Sequence, residues 1–206
     1  MLEVRDLTAI RDDRELFESV SFAVTAGDLV QVEGRNGSGK TTMLRIITGL
    51  GDSDSGEIFW NGVETRKDRD AFHQDLLFIG HQTGVKKELT AFENLSFYQK
   101  LNGSAGVTQD DIWMALAKVG LAGKEDIPTG KLSAGQQRRV ALARLWLSKH
   151  PLWILDEPLT AIDKQGIKVI EALFVEHTNN GGMVLFTTHQ DMFTELDSLK
   201  KIRLGE

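Results

Sequence analysis

Residues 34–41 form the clearest chemical pattern of the chain, a glycine-rich segment that ends in lysine and threonine. Their order, Gly-Arg-Asn-Gly-Ser-Gly-Lys-Thr, matches G-x-x-x-x-G-K-[ST] at every defined position. Glycines let the backbone turn so that successive N–H groups point at a phosphate, the lysine adds a mobile cation, and the hydroxyl can ligate Mg²⁺. We therefore predict a nucleotide-binding loop in which Thr41 is a metal ligand. The predicted nucleotide-binding residues are Gly34, Arg35, Asn36, Gly37, Ser38, Gly39, Lys40, Thr41 and Thr42.

Two adjacent acids, Asp156 and Glu157, form the second pattern and follow the apolar run Leu-Trp-Ile-Leu at 152–155. The carboxyl end of a buried strand is where α/β sheets place their ligands. We predict that Asp156 holds Mg²⁺ through a water molecule and that Glu157 is the general base, a role commonly worth about 10²–10⁴ in rate. The alternative is a strand end with two solvated acids, which the phosphate loop upstream disfavours.

A folded scaffold must position these residues. Along the chain, apolar runs typical of β-strands alternate with helical patterns, and this alternation predicts α/β architecture with a mostly parallel sheet. A strand over 29–32 precedes the phosphate loop, and a helix over 40–48, ended by Gly49, follows it. Further buried strands are predicted over 76–79, 152–155 and 183–186. The strand 56–60 runs into Asn61-Gly62, a hairpin-turn dipeptide, which predicts a small antiparallel β-subdomain.

The middle of the chain has a different pattern, which predicts helices inserted into the core over about residues 83–135 of one domain spanning 1–206. Thr90 and Glu93 form a capping box that opens a helix reaching about Lys100. Thr108 and Asp111 open another, and the segment 102–106 between them reads as a loop.

Composition restricts the class of protein. The 206 residues carry a net charge of −6 and no cysteine, which disfavours a broad cationic nucleic-acid surface and excludes disulfides and thiolate metal sites. No apolar run is long enough to cross a bilayer, and the first residues lack a signal-peptide core, so we expect a cytoplasmic protein. The histidines at 73, 81, 150 and 177 show no metal-ligand grouping.

Residues 131–139, Lys-Leu-Ser-Ala-Gly-Gln-Gln-Arg-Arg, closely resemble the L-S-G-G-Q signature of ATP-binding cassette (ABC) ATPases. The resemblance implies the fold of P-loop NTPases with ATP and Mg²⁺ as cofactors. It also implies that the signature reaches a second copy of the chain and caps the γ-phosphate held on the phosphate loop of that copy. The signature residues are Ser133, Ala134, Gly135 and Gln136.

Three further residues match landmarks of the same family in the expected order, so the resemblance covers essentially the whole chain. Gln82 corresponds to the glutamine that touches Mg²⁺ and the attacking water, and Asp163 to the D-loop acid that contacts the opposite subunit. His189 corresponds to the histidine that contacts the γ-phosphate. The resemblance therefore implies that Gln82 and His189 join Glu157 as catalytic residues. Each would be an ordinary polar residue if considered alone.

The sequence departs from the family pattern twice. No aromatic residue stands near Ile10 and Arg11, where these ATPases usually stack the adenine, although the Arg11 guanidinium could stack on a base. This departure leaves the selectivity for adenine open. Ala134 also replaces the usual glycine of the signature, and adds only one methyl group.

Three classes of function compete: the energy-coupling subunit of a membrane transporter, a soluble ABC ATPase acting on DNA or ribosomes, and a metabolic P-loop kinase or GTPase. The signature disfavours the kinase and GTPase class. The soluble ABC class usually has paired cassettes or long coiled-coil insertions, and this chain has neither. We therefore expect separate integral-membrane subunits and a peripheral location on the cytoplasmic face of the inner membrane.

Segments 78–95 and 153–163 are most similar to the ATP-binding subunits of the cytochrome c maturation system, often called haem exporters. This resemblance implies a role in haem handling for c-type cytochromes, with a haem chaperone involved at most indirectly. The residues themselves show no haem site. A small ABC exporter for another substrate is the alternative.

Overall fold

A computed structural model describes residues 1–101, 106–189, 193 and 198–205. The strands of its main sheet are β3 Leu29–Gly34, β6 Leu76–Ile79, β7 Leu152–Leu155, β8 Met183–Thr187 and β9 Leu199–Leu204. They lie in the order β6-β7-β8-β3-β9, and β3 pairs in parallel with β8 and β9, as β7 does with β8. Every residue of β7 and β8 is buried, as expected for a sheet covered on both faces. The predicted mostly parallel sheet is thereby confirmed.

A second, antiparallel sheet has the order β2-β1-β4-β5, with β1 Leu2–Arg11, β2 Arg14–Val24, β4 Ser55–Trp60 and β5 Val63–Glu64. The predicted Asn61-Gly62 turn joins β4 to β5, and both turn residues have positive φ, 50° and 83°. This is the geometry that favours Asn-Gly in two-residue hairpins. The predicted antiparallel element is confirmed, whereas β2 and β9 have no counterpart among the predicted strands.

Three helices begin where the sequence predicts them: α1 (Lys40–Ile47), α3 (Ala91–Leu101) and α4 (Gln109–Lys118), whereas α2 (Arg69–Gln74) and α6 (Lys164–Asn179) have no predicted counterpart. Thr90 and Glu93 bond each other's backbone N–H at the start of α3, and Thr108 and Asp111 do the same at α4. The helices are α1 Lys40–Ile47, α2 Arg69–Gln74, α3 Ala91–Leu101, α4 Gln109–Lys118, α5 Ala134–Leu147 and α6 Lys164–Asn179, with a 3₁₀ turn at Thr129–Lys131. Of the predicted loop 102–106, residues 102–105 lie outside the described residues.

The chain divides into two compact units, and each has its own hydrophobic core. The first unit comprises Met1–Phe78, His150–Glu157 and Phe174–Glu206 and centres on residues such as Leu44, Ile154 and Leu185. The second comprises Ile79–Lys149 and Pro158–Leu173 and centres on Leu95, Leu116 and Val140. A single domain with a helical insertion over about 83–135 stays a prediction. No helix among the described residues combines the length and apolarity needed to cross a membrane.

A histidine is packed into the first unit. The imidazole of His177 stacks on the Trp153 indole, with ring centroids 3.6 Å apart and planes 5° from parallel. Gly182 lies against the same imidazole, where a Cβ atom would collide with the ring. Burial lowers the pKa of His177 below its ordinary value, and a hydrogen bond to the backbone of Pro151 opposes that shift only in part. The fold therefore favours neutral His177.

We predict that the free energy of unfolding falls as the pH drops below about 6.5, the ordinary pKa of histidine in an unfolded chain. The pKa of His177 is lower in the folded state than in the unfolded chain. The stabilisation that results from this difference is fully present above about pH 6.5, and it is lost as the pH falls towards the pKa of His177 in the folded state. Chemical denaturation between about pH 7.5 and 5 measures this slope. In His177→Phe, which keeps an aromatic ring but does not titrate, the slope should be shallower. Equal slopes in the two proteins would contradict the prediction.

Candidate active site

The phosphate loop lies between β3 and α1, as predicted, and close packing requires glycine at positions 34 and 39. A Cβ atom on Gly34 would come within 2.5 Å of the Ser38 hydroxyl and 2.8 Å of the Leu204 carbonyl oxygen. Gly39 is the N-cap of α1 with φ 92°, and a Cβ there would approach Leu16 and Phe17 to 2.9 Å. The loop backbone therefore fits closely against β2 and β9, and larger residues would displace it.

Lys40 is 8% exposed, so its aliphatic stem is buried while its charged end lies at the loop. Its Nζ donates to the carbonyl oxygens of Gly34 at 2.7 Å and Arg35 at 3.1 Å. Ser38 is also buried, whereas Arg35, Asn36 and Gly37 are exposed, and Thr42 is half-buried. The loop therefore brings one ammonium group and exposed backbone to the same place, which is what a phosphate ligand requires.

Asp156 connects three segments of the first unit. Its Oδ1 accepts hydrogen bonds from the hydroxyls of Thr41 at 3.1 Å and Thr187 at 2.8 Å. Asp156 is 2% exposed and Thr187 is fully buried. Burying a carboxylate is costly unless donors surround it, so these hydroxyls stabilise the acid in place. Thr187 is absent from the predicted site, although it ends an apolar run beside the phosphate-loop strand.

Glu157 follows with a backbone φ of 48°, in the left-handed region that non-glycine residues rarely adopt. Its N–H donates to the Thr187 hydroxyl at 2.9 Å, which helps to hold this strained conformation. Its Oε1 lies 3.2 Å from Nε2 of His189. The structure thus brings together Lys40, Thr41, Asp156, Glu157 and His189, all in the first unit.

The oxygen atoms around Asp156 fit a magnesium ion. Mg²⁺ prefers oxygen ligands and is usually held at nucleotide sites by one or two protein oxygens together with phosphates and water. The Thr41 hydroxyl and the Asp156 carboxylate provide such oxygens within 3.1 Å of each other, at the start of the helix that follows the phosphate loop.

The signature lies in the second unit, at the start of α5. Ser133 is the N-cap, and its hydroxyl and backbone form a capping box with Gln136. Ala134 is exposed, so its methyl group is accommodated without a clash. Gly135 cannot be enlarged in this way, because a Cβ atom would come within 2.7 Å of the Ala161 carbonyl oxygen. The alanine therefore stands at the position that tolerates a side chain.

Gln82 and Asp163 also lie in the second unit. Gln82 is exposed in the segment between β6 and α3. Asp163 accepts hydrogen bonds from the Gly166 N–H at 2.8 Å and from Arg139 at 2.7 Å, and these bonds hold the pKa of its carboxyl below the usual value. Asp163, the predicted D-loop acid, is therefore bonded to Arg139 of α5, the helix that begins at the predicted signature.

Arg138 is a buried residue that the predicted site does not include. It is 4% exposed and donates to the carbonyl oxygens of Gly80 at 2.8 Å and Pro158 at 3.1 Å. It therefore joins the signature helix to the segment before Gln82 and to the segment after Glu157. Its place in the run of basic residues after the signature gave no indication of this burial.

Arg11, the proposed substitute for an adenine-stacking aromatic, is already engaged within the first unit. Its guanidinium donates to the carbonyl oxygens of Ile10 and Asp52, each at 2.9 Å, and its side chain is 48% exposed. The plane of the guanidinium is thus held by backbone groups, and stacking of a base on its exposed face stays a prediction.

Comparisons with known proteins agree with one another. The family model for ABC transporters matches residues 17–160. The chain is 66% identical over 206 residues to the cytochrome c biogenesis ATP-binding export protein CcmA of Vibrio parahaemolyticus, covering 100% of both chains. Its fold is similar to that of the ATP-binding subunit of an ABC transporter, with a TM-score of 0.84 at 24% identity over 99% of this chain and 85% of that one. A dimeric ATP-binding cassette in a post-hydrolysis state with ADP and Pi also matches, with a TM-score of 0.81 at 21% identity over 100% of this chain and 97% of that one.

Thr187→Val tests the hydrogen bonds around Asp156. Valine keeps the shape of the buried side chain but removes the hydroxyl that donates to Asp156 and accepts from the Glu157 N–H. We expect the free energy of unfolding to fall by about 1–3 kcal/mol and nucleotide hydrolysis to fall by about tenfold or more. Chemical denaturation and a phosphate-release assay measure the two effects. Thr187→Ser keeps the hydroxyl and is the control; a valine variant equal to wild type would show that the hydroxyl is dispensable.

Proposed function

The chain belongs to the ABC transporter family, and on that premise we propose that it is the ATP-hydrolysing, energy-coupling subunit of a transporter complex that handles haem for c-type cytochrome biogenesis. The proposal of ATP hydrolysis is supported by the Asp156 carboxylate, which accepts hydrogen bonds from Thr41 of the phosphate-loop helix and from Thr187. The observation that carries the pathway is the 66% identity to a cytochrome c biogenesis ATP-binding export protein over both full lengths.

ATP binds with its phosphates on the loop 34–41, where the backbone N–H groups and Lys40 neutralise the negative charge. Glu157 accepts a proton from the water that attacks the γ-phosphorus, and the bond from that phosphorus to the β–γ bridging oxygen breaks to give ADP and phosphate. His189, 3.2 Å from Glu157, orients this carboxylate and contacts the γ-phosphate. These assignments rest on the proximity of the side chains and on the family resemblance.

Mg²⁺ is the proposed metal, with Thr41 as a direct ligand, Asp156 holding it through water and Gln82 as a further contact. When bound, it neutralises the charge that develops on the phosphate oxygens. The Thr41 hydroxyl, which is bonded to the buried Asp156 carboxylate at 3.1 Å, supports this assignment for the first unit.

A second copy of the chain completes the site in this proposal. Ser133, Gly135 and the N-terminus of α5 would cap the γ-phosphate bound to the other copy, and Asp163 would contact the opposite subunit. The exposed position of Ser133 and Ala134 at the start of α5 supports the proposal, because a second copy could reach this end of the helix. A fold shared with a cassette that is itself dimeric is consistent with it.

Separate integral-membrane subunits would supply the path across the bilayer, and the chain would lie on the cytoplasmic face of the inner membrane, bound to them. ATP-driven closure of two copies would shift the membrane subunits between two states and so release haem, or a chaperone that carries it. A small ABC exporter for another substrate is the second candidate, because the match to the ABC transporter family over residues 17–160 specifies no cargo.

Glu157→Gln tests the hydrolytic proposal. The amide cannot accept the proton of water, so we expect turnover to fall by about 10²–10⁴-fold while ATP binding is retained. Steady-state phosphate release and equilibrium binding of a fluorescent ATP analogue measure the two quantities. Glu176→Gln removes an exposed carboxylate elsewhere in the first unit and should behave as wild type. Unchanged turnover in Glu157→Gln would remove Glu157 from the role of general base.

The pathway is tested in cells that lack this chain. We expect all c-type cytochromes to disappear together, as judged by haem staining, while b-type haem proteins stay near normal because haem synthesis is untouched. Glu157→Gln should fail to restore them at normal protein levels, whereas Glu176→Gln should restore them. Normal c-type cytochromes in the deletion strain would exclude the haem pathway but leave the ATPase assignment in place.

A further inference from the structure

A cavity of about 220 Å³ lies within the second unit, among α4, α5 and α6. Its apolar lining includes Leu142, which is fully buried, Ile170, which is 3% exposed, and the half-buried Trp146. A cavity of about 150 Å³ is enough for a benzene molecule, so this one has room for one ring and a small substituent. Of the predicted site residues, only Asp163 lines the cavity, and it is therefore distinct from the phosphate site.

Two cations line the same cavity, Lys118 and Arg139, against the single acid Asp163. Arg139 donates from Nη1 to the Val119 carbonyl oxygen at 3.0 Å and from Nη2 to Asp163 at 2.7 Å. These bonds use two of its five N–H donors, and the described part of the chain offers no further acceptor. Lys118 is exposed and has no ion-pair partner among the described residues. The polar lining thus has an excess of positive charge and unused donors.

Two glycines fix the ionic groups at the cavity. A Cβ atom on Gly120, which has φ 74°, would come within 2.7 Å of Arg139 Nη1. A Cβ atom on Gly166 would lie 3.0 Å from Oδ1 of Asp163, the oxygen that accepts from the Gly166 N–H at 2.8 Å. Side chains at these positions would displace the guanidinium and its carboxylate partner. The chain therefore holds both groups in place before a ligand arrives, which lowers the entropic cost of binding.

We propose that this cavity binds a small organic monocarboxylate with a single ring, which packs against Leu142, Trp146 and Ile170. The carboxylate pairs with the unused donors of Arg139 and with Lys118. Charge complementarity favours a carboxylate, because its planar oxygens match the planar donors of a guanidinium. The volume limits the apolar part to one ring. A neutral ligand of the same shape would leave the donors of Arg139 unpaired.

The bond between Arg139 and Asp163 connects the cavity to the candidate active site. A bound carboxylate would compete with Asp163 for the guanidinium and so loosen the acid that is proposed to contact the second copy. We therefore expect the ligand to inhibit ATP hydrolysis. This consequence rests on the proposed function, whereas binding of the carboxylate does not.

Benzoate is the probe, and benzamide, which has the same shape without the charge, is the control ligand. The indole N–H signals of the four tryptophans are followed by NMR at constant ionic strength, and the Trp146 signal is identified by its loss in Trp146→Phe. We expect benzoate to shift the Trp146 signal saturably, with a Kd of about 1 mM or lower. Benzamide should bind at least tenfold more weakly, because it cannot form the ion pair.

Variants of the lining separate the charge from the shape of the cavity. Ala117→Phe introduces a ring from an exposed position of α4, so it should fold and lose benzoate binding. In Arg139→Met, benzoate should bind no better than benzamide. Lys118→Met should raise the Kd for benzoate by about three- to tenfold. Lys168→Met removes an exposed cation of α6 outside the cavity and should bind benzoate as wild type does.

Phosphate release from ATP is then measured against benzoate concentration. We expect inhibition of wild type to be half-maximal at the Kd given by the Trp146 signal, and to be absent in Ala117→Phe. Equal binding of benzoate and benzamide, unchanged benzoate binding in Ala117→Phe, or no saturable shift up to about 20 mM would overturn the site. Binding without inhibition would overturn only the link to hydrolysis. A wild-type chain that binds benzoate but hydrolyses no ATP would instead overturn the proposed function and leave the site in place.

Discussion

The burial of Asp156 is the constraint on which the rest of the candidate site depends. A carboxylate that is 2% exposed needs donors, and the chain provides two hydroxyls, from Thr41 and Thr187. Asp156 follows β7, Thr187 ends β8, and Thr41 lies in the helix after β3, so the strand order β7-β8-β3 brings all three to the carboxyl edge of the sheet. A different strand order would separate this acid from the hydroxyls of Thr41 and Thr187.

The same constraint accounts for the conformation of Glu157. Its positive φ is unfavourable for a residue with a side chain, yet its N–H reaches the Thr187 hydroxyl that already serves Asp156. One buried hydroxyl therefore fixes the metal-binding candidate and the backbone of the general-base candidate together. The Glu157 carboxylate lies 3.2 Å from Nε2 of His189. The backbone strain at Glu157 is thus offset by the two hydrogen bonds of the Thr187 hydroxyl, at the end of β8.

Features encoded by neighbouring residues could be predicted from the sequence, and those encoded at long range could not. The phosphate loop, the capping boxes of α3 and α4 and the strands β6 and β7 follow from short patterns. Thr187 and Arg138 were missed because their main partners are 31 and 58 residues away in the chain. An arginine inside a basic run reads as solvated, and only the folded chain shows which carbonyl groups surround it. The roles of Gln82, the signature and the D-loop rest on resemblance, because they concern a nucleotide and a second copy.

Two arginines of α5 show how the same cost of burial is met in different ways. Arg138 donates to carbonyl oxygens of its own unit, so its charge is stabilised within the chain, and it holds the two segments that carry these carbonyl groups together. Arg144, on the same helix, has an aromatic ring but no oxygen. If stability alone determined the residue, an apolar side chain of similar length would serve better at 144.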